Sequence, residues 1–191
     1  MRGVNSLCNK GTFTKRSVNW RGGWSKSIWI MQSSAAWRWS RMVIPRFTED
    51  VAILMTPEGL AAFRERLLGR GYLPLFQGAQ KSFRDTRTGI RIEVVTTGDY
   101  PGDGKPKPVS FPNPKDARFE REGLWLITLE KLIELKLASG LSAPHRLKDL
   151  SDVQDLIIRL NLPLDFQNKL DPSVRSEYQR LWESAQSARD E

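Results

Sequence analysis

Residues 46–54, which read RFTEDVAIL, constrain the fold more than any other part of the chain. A polar turn containing Asp50 leads directly into the apolar run 51–55, which is typical of a strand buried on both faces. Residues i and i+2 of a strand point to the same face, so carboxylates at positions 50 and 52 would form a pincer for a divalent metal. Position 52 is an alanine, Ala52, so one half of the pincer is missing.

The composition divides the chain at the same point. Residues 1–46 hold nine of the 30 Lys and Arg residues and no Asp or Glu, and they also hold five of the seven Trp residues. The remaining 145 residues carry 21 basic and 22 acidic side chains, so the net charge of +8 belongs to the N-terminal segment. A basic segment with interleaved aromatic residues is compatible with nucleic-acid binding. No binding motif or periodicity accompanies it, and the charge of the body gives that interpretation no support.

Length and cysteine content limit the remaining possibilities. The 145 residues after the basic segment suffice for one domain with its own core. The single cysteine, Cys8, excludes an intrachain disulfide and a zinc site built from cysteines. The N-terminal segment lacks the apolar stretch of a signal peptide, and no apolar run reaches membrane-spanning length. We therefore expect a cytoplasmic protein with no membrane partner.

The pattern of the body predicts an α/β fold. Thr56 and Pro57 are typical of a helix start, and the following helix is expected to close at Gly71. A β-hairpin is predicted after that helix, followed by a Pro/Gly-rich loop that is long enough to suggest a function. Three further helices complete the prediction, and the first of them is expected to stop at Gly140. The predicted ranges are 81–87 and 89–96 for the hairpin strands, 97–114 for the loop, and 129–139, 146–161 and 171 onwards for the helices.

The order of these motifs resembles the minimal nucleotidyltransferases, a group that includes the toxin-like half of AbiE-type abortive-infection systems. The resemblance rests on Arg-x-Thr-x-Asp at 46–50, on LEKLIELK at 129–136 and on RLKDLSD at 146–152. It implies a nucleotidyltransferase-like mixed sheet flanked by helices, with additional C-terminal helices. The implied organisation is an atypical segment 1–45 outside the core, a nucleotidyltransferase-like domain 46–165 and a C-terminal helix in 166–191.

The resemblance also implies a magnesium centre. Nucleotidyl transfer is an in-line displacement in which magnesium ions bridge the phosphates and neutralise developing charge. The family holds these ions with two carboxylates on one strand and a third on a neighbouring strand. Asp50 matches the first carboxylate and Glu93 the third, whereas Ala52 stands where the second is expected. The alternative is that Asp50 is only a turn residue at the strand entry and Glu93 only a solvated strand residue.

Four residues are implied to bind the nucleotide: Arg46, Thr48, Lys136 and Lys148. Among them Lys136, on the inner helix, is implied to approach the phosphates and to be catalytic together with Asp50 and Glu93. An ordinary lysine whose aliphatic stem covers an amphipathic helix would give the same sequence pattern.

Three polar residues near Lys136 in the sequence have simpler interpretations. Asp149 and Asp152 fall near a helix N-terminus, where acids suit the helix dipole, and they could orient Lys136 or stabilise the helix. His145, the sole histidine, lies in the preceding loop with no second histidine or cysteine nearby, and we interpret it as a surface residue.

The segment before Arg46 departs from the family. The family resemblance calls for a helix that opens with Gly-Gly or Gly-Ser and holds the triphosphate with backbone N–H groups, but the chain has SSAAWRWSRMVI at 33–44. Codons compatible with residues 31–44 can be chosen so that, read two nucleotides later, they encode AVIGGLAVVAHGY. We therefore hypothesise that residues 1–44 are an out-of-frame reading of the true N-terminus, which also accounts for the missing acids and the excess of tryptophan.

These features imply a nucleotidyltransferase-like protein that is inactive as written, with a nucleoside triphosphate, an unknown acceptor and an antitoxin-like protein as the expected partners. A non-catalytic module that binds protein or nucleic acid on the same fold is the first alternative. The second is an enzyme of altered mechanism, with one magnesium ion held by Asp50 and Glu93.

Overall fold

A computed structural model describes residues 29–31, 50–121 and 124–190 of the 191-residue chain. These residues form one mixed β-sheet and a set of helices that flank it, which confirms the predicted α/β class. No helix of the described part is long and apolar enough to cross a membrane.

The described part of the chain contributes seven strands to the sheet: β1 (Trp29–Met31), β2 (Asp50–Met55), β3 (Tyr72–Pro74), β4 (Ser82–Asp85), β5 (Arg91–Thr96), β6 (Arg118–Arg121) and β7 (Leu124–Ile127). Their order in the sheet is β3-β4-β5-β2-β1-β7-β6. The central pair, β2 and β5, is parallel, as is the pair β1 and β7, and the other neighbours are antiparallel.

Helix α1 (Pro57–Leu67) follows β2 and covers one face of the central strands. It begins as the sequence predicts, because the Thr56 hydroxyl accepts a hydrogen bond of 3.1 Å from the backbone N–H of Gly59 and Pro57 takes the first helical position. Phe63 is fully buried and contacts the ring of Phe83 at 5.0 Å between centroids. Apolar residues from α1 and four strands close this first core: Ile53, Met55, Leu60, Phe63, Tyr72, Phe83, Ile92 and Val94.

Strand β1 belongs to the basic segment that the sequence places outside the core. Ile30 pairs with Ile53 of β2 on one side and with Leu126 of β7 on the other, so the strand Trp29–Met31 of the basic segment lies within the sheet. The rest of residues 1–45 lies outside the described residues. The predicted domain boundary at residue 45 therefore stays a prediction, as does the out-of-frame origin of the segment.

A second core lies among the helices α2 (Leu129–Ser142), α3 (Leu147–Leu160) and α4 (Pro172–Asp190). Helix α2 does not stop at Gly140 as predicted but continues to Ser142. Gly140 serves packing instead, because an added Cβ would lie 2.4 Å from the Leu150 side chain of α3. Helix α4 begins at Pro172 as predicted, and its buried residues Val174 and Tyr178 share this core with α2 and α3.

The Pro/Gly-rich loop 97–114 is closed at its neck and anchored in the helical core. Backbone hydrogen bonds join Gly98 N–H to the Phe111 carbonyl and Phe111 N–H to the Asp99 carbonyl, at 2.9 and 2.8 Å. Val109, only 3% exposed, packs in the helical core. The loop thus links the sheet to the helices, which gives it a structural role besides any functional one.

Candidate functional site

The parallel pair β2–β5 determines which residues share the candidate metal site. Ile53 pairs with Val94, and both pack in the core beneath α1. Because alternate residues of a strand point to opposite faces, Ala52 and Glu93 lie on the face turned away from α1. They are also direct partners in the strand register.

Asp50 and Glu93 lie on adjacent strands, as the sequence predicts, but they are not direct partners. Asp50 is the first residue of β2 and stands opposite Arg91, whereas Glu93, an exposed residue, stands opposite Ala52. The missing second carboxylate therefore falls at the position directly facing Glu93. Whether Asp50 and Glu93 act as metal ligands stays a prediction.

Ala52 leaves the position opposite Glu93 on this face without a carboxylate. Magnesium prefers carboxylate oxygens, and the side chain of Ala52 has no oxygen to give. Within residues 29–31, 50–121 and 124–190, no group of three or more His, Cys, Asp or Glu side chains could hold a metal ion. The predicted nucleotide-binding residues Arg46 and Thr48 lie outside the described residues.

Lys136 of α2 is held by two carboxylates of α3. Its Nζ donates to Asp152 Oδ2 at 2.7 Å and to Asp149 Oδ1 at 3.2 Å. The Lys136 side chain is 11% exposed, and those of Asp149 and Asp152 are 20% and 12% exposed. These contacts agree with the alternative that the two aspartates orient Lys136. A lysine whose charge is already matched twice is poorly placed to neutralise phosphates, and its catalytic role stays a prediction.

Hydrogen bonds extend from this ion cluster to the loop 97–114. Ser139 Oγ donates to Asp149 Oδ2 at 2.6 Å, and the Arg146 guanidinium lies 3.7 Å from the same carboxylate. Arg146 also donates to the Gly102 carbonyl at 3.2 Å. Ser142 Oγ accepts from the backbone N–H of Asp103 at 3.2 Å. The cluster therefore connects α2, α3 and the loop.

Two other residues that the sequence singles out lie at the surface beside this cluster. Lys148, predicted to bind the nucleotide, is exposed on the first turn of α3. His145 is exposed in the short 3-10 helix Pro144–Arg146, in agreement with its interpretation as a surface residue.

An open groove of about 690 Å³ lies elsewhere, between the start of α2 and residues 162–169. Thr128 and Phe166 line it, and Lys169 and Glu130 face each other across it at 3.9 Å. None of the predicted site residues lines this groove.

Two basic residues beside the β2–β5 pair are absent from the sequence-based site. Arg84 of β4 and Arg91 of β5 are exposed and stand opposite each other in the strand register. Strand alternation in the hairpin could have placed them on one face, but only the pairing register shows that they are neighbours.

No family model matches the chain, and no curated protein matches it. Among solved structures, it is similar to a crystal structure from H. pylori that carries the provisional description of a nucleotidyltransferase. The alignment covers 85% of this chain and 86% of that chain, with 13% identity and a TM-score of 0.42. A likeness of this size assigns no family, and the proposals below rest on the chain's own residues.

Proposed function

We propose that this chain is a nucleotidyltransferase-like protein whose magnesium centre is incomplete, so that it does not transfer nucleotidyl groups as written. The observation that carries the proposal is the register of β2 and β5, in which Ala52 directly faces Glu93. The order of the motifs around Asp50, Lys136 and Asp149 supports the choice of fold family.

The chemistry of magnesium-assisted nucleotidyl transfer explains why the residue at position 52 matters. Magnesium ions, when bound, would neutralise charge on the transferring phosphate and orient the leaving group. Asp50 and Glu93 are the only carboxylates proposed for that role, and alanine at position 52 leaves a pair where the family uses three. Loss of a residue that only supports a metal ligand already costs about 10–100-fold in metal affinity or activity, so loss of the ligand itself is expected to cost more.

Two changes test this proposal, separately and together: replacement of Ala52 by aspartate and restoration of the phosphate-binding segment. The Ala52→Asp variant alone and a variant with residues 31–44 replaced by AVIGGLAVVAHGY are both expected to bind nucleotide no better in magnesium than in EDTA. The two changes together are expected to restore magnesium-dependent binding of a nucleoside triphosphate, because both first-strand carboxylates and the Gly-Gly helix start are then present. Titration calorimetry measures the binding.

Ala52→Asn, combined with the same replaced segment, is the matched control. Asparagine has nearly the size of aspartate but lacks its charge, so it is not expected to restore dependence on magnesium. If the combination with aspartate behaves like the combination with asparagine, the proposed metal site is wrong.

A non-catalytic binding module is the second candidate function, and the ion cluster of Lys136 favours it. Asp149 and Asp152 match the charge of this lysine and use it to join α2 to α3. Such a module would keep the fold to hold a partner, with an antitoxin-like protein as the partner that the family resemblance implies. Failure of the fully corrected variant to bind magnesium and nucleotide would favour this function.

A further inference from the structure

The positive charge of the body is concentrated in residues 64–91. This segment holds seven of the 21 basic residues that follow residue 46 but only two of the 22 acidic ones, Glu65 and Asp85. The rest of the body therefore carries 14 basic and 20 acidic side chains. Segment 64–91 runs from the second half of α1 through β3 and β4 to the start of β5. One part of an otherwise acidic body is thus basic.

Two turns of this segment lie against each other at one end of the sheet. The backbone N–H and the hydroxyl of Thr86 both donate to the Gly71 carbonyl, at 2.9 and 3.1 Å. Arg70 precedes this glycine and Arg87 follows this threonine, and both arginines are exposed. Arg84, also exposed, lies near the end of β4, two residues before Thr86. The hydrogen bonds therefore bring three exposed arginines to the same end of the sheet.

The side chains of these three arginines are not bonded to other residues. Within the described part of the chain, Arg70, Arg84 and Arg87 make no side-chain hydrogen bond or ion pair. Asp85, the nearest acid in the sequence, is only 3% exposed and accepts a hydrogen bond of 2.9 Å from the backbone N–H of Arg87. The three guanidinium groups thus keep their N–H donors available to a partner outside the chain.

Exposed apolar side chains lie beside the arginines. Leu73 of β3 stands directly opposite Arg84 of β4 in the register and is 51% exposed, and Phe76, which follows β3, is 63% exposed. Paired residues of a ladder lie on the same face, so Leu73 and Arg84 are adjacent. Arginine and aromatic residues are enriched in protein–protein interfaces, whereas surfaces that bind nucleic acid are more polar. We call the surface formed by Arg70, Leu73, Phe76, Arg84 and Arg87 the arginine end.

The outer edge of β3 is not suited to pairing with another strand, although β3 is the last strand on its side of the described sheet. The Leu75 N–H donates to the Ser82 carbonyl of the β4 side, so the backbone groups of Tyr72 and Pro74 point outwards. Proline has no N–H, and the Tyr72 carbonyl already accepts from the Gly69 N–H at 2.9 Å. Recognition at the arginine end therefore depends on side chains.

From these contacts we propose that the arginine end docks an acidic segment of another protein, in which apolar side chains lie between the carboxylates. The carboxylates match the three guanidinium forks, and the apolar side chains cover Leu73 and Phe76. Arg91 is left outside this surface because it stands opposite Asp50 in the register. The inference goes beyond the proposed function, since no residue of the arginine end belongs to the proposed magnesium or nucleotide site.

Fluorescence anisotropy on the full chain, with two labelled synthetic peptides of equal length, tests the proposal. One peptide is polyglutamate with leucine at regular intervals, and in the other serine replaces each leucine. The leucine peptide is expected to bind about tenfold more tightly, the effect of burying roughly one leucine side chain. A uridine RNA of similar length is the third probe and is expected to bind more weakly than the leucine peptide.

Variants separate the arginine end from the basic segment 1–46, which attracts any acidic peptide. The triple variant Arg70→Gln, Arg84→Gln and Arg87→Gln is expected to weaken binding of the leucine peptide about tenfold to a hundredfold, because an exposed ion pair contributes up to about fivefold. The control removes the same charge from three exposed residues outside segment 64–91, and it is expected to bind like the unmodified chain. These residues are Lys105, Lys115 and Arg159, each replaced by glutamine.

A second pair of variants tests the apolar contact. Leu73→Gln is expected to remove the advantage of the leucine peptide over the serine peptide. Leu141→Gln, at a position of α2 that is 52% exposed, is expected to keep it. All these variants are expected to melt like the unmodified chain, because replacements at exposed positions change stability little. Should the triple variant melt lower, the single arginine variants, each expected to weaken binding by up to about fivefold, decide instead.

Four results would overturn the proposal. They are the absence of binding of the leucine peptide, equal loss of binding in the triple variant and its control, equal affinity for the leucine and serine peptides, and tighter binding of the RNA through the same arginines. Self-association of the chain that the triple variant abolishes would also overturn it, since the surface would then bind a second copy. None of these measurements involves magnesium, so the proposed function is tested separately.

Discussion

Lys136→Met is expected to lower the free energy of unfolding by about 3–5 kcal/mol, the range for breaking one side of a buried ion pair. Methionine keeps the length of the side chain but leaves Asp149 and Asp152 without their cation. Both carboxylates are mostly buried, with 20% and 12% of their side chains exposed. Urea unfolding of the full chain measures the loss.

Two further variants separate this structural role from a role in phosphate binding. Lys136→Met combined with Asp149→Asn and Asp152→Asn is expected to recover much of the lost stability, because no buried charge then remains unpaired. Lys148→Met, at an exposed position of the same helix pair, is expected to change stability by no more than about 0.5 kcal/mol. A Lys136→Met variant that stays stable but loses nucleotide binding would show that the lysine serves the ligand instead.

Tyr178→Ala is expected to cost about 3–5 kcal/mol, as large-to-small replacements of buried aromatic residues do. Tyr178 is fully buried, and its ring stacks on Phe166 with 5.8 Å between centroids. Its hydroxyl donates to the Pro163 carbonyl at 3.1 Å, which ties α4 to the segment before it. Urea unfolding checks the value, and a loss near that of an exposed residue would contradict the shared core of α2, α3 and α4.

Tyr178→Phe isolates the hydroxyl group. It is expected to cost about 1 kcal/mol at neutral pH, since the Pro163 carbonyl loses its donor.

Burial, helped by the nearby Asp165 carboxylate, raises the pKa of Tyr178 to about 12, from 10.0 in an unstructured chain. The phenol is therefore more acidic in the unfolded chain than in the folded one. The protonated phenol stabilises the folded state fully below pH 10, and this stabilisation is lost as the pH rises towards 12. The phenylalanine variant should lack that part of the pH dependence.

Local sequence signals predicted the elements whose ends depend on local chemistry. The Thr56 hydroxyl and Pro57 fix the start of α1, and Pro172 fixes the start of α4, as expected. The predicted helix end at Gly140 was wrong because the glycine is needed for tertiary packing: it lets α3 approach α2 closely. No local pattern in α2 shows where Leu150 will lie. The same limit applies to β1, since a three-residue strand carries too little pattern to predict its pairing with β2 and β7.

The residues of the candidate site likewise divide into those that the sequence predicts and those whose contacts depend on tertiary packing. The family resemblance placed Asp50 and Glu93 on neighbouring strands, and β2 does pair with β5. Alternation along a strand gives only the face to which each side chain points. The ion pairs of Lys136 depend on how α2 packs against α3. The sequence suggested contacts of Asp149 and Asp152 with Lys136 only as one of two alternatives. The facing of Arg84 and Arg91 depends on the register of the β4–β5 hairpin, and a shift of one residue would have separated them.

The dependence of nucleotide binding on magnesium, measured by calorimetry on the unmodified chain, tests the central claim most directly. An incomplete metal centre predicts that magnesium does not raise the affinity for ATP above its value in EDTA, because Ala52 provides no ligand opposite Glu93. The contradicting result is a saturable gain in affinity with magnesium that disappears in Asp50→Asn and in Glu93→Gln. That result would show a working one-metal site on β2 and β5.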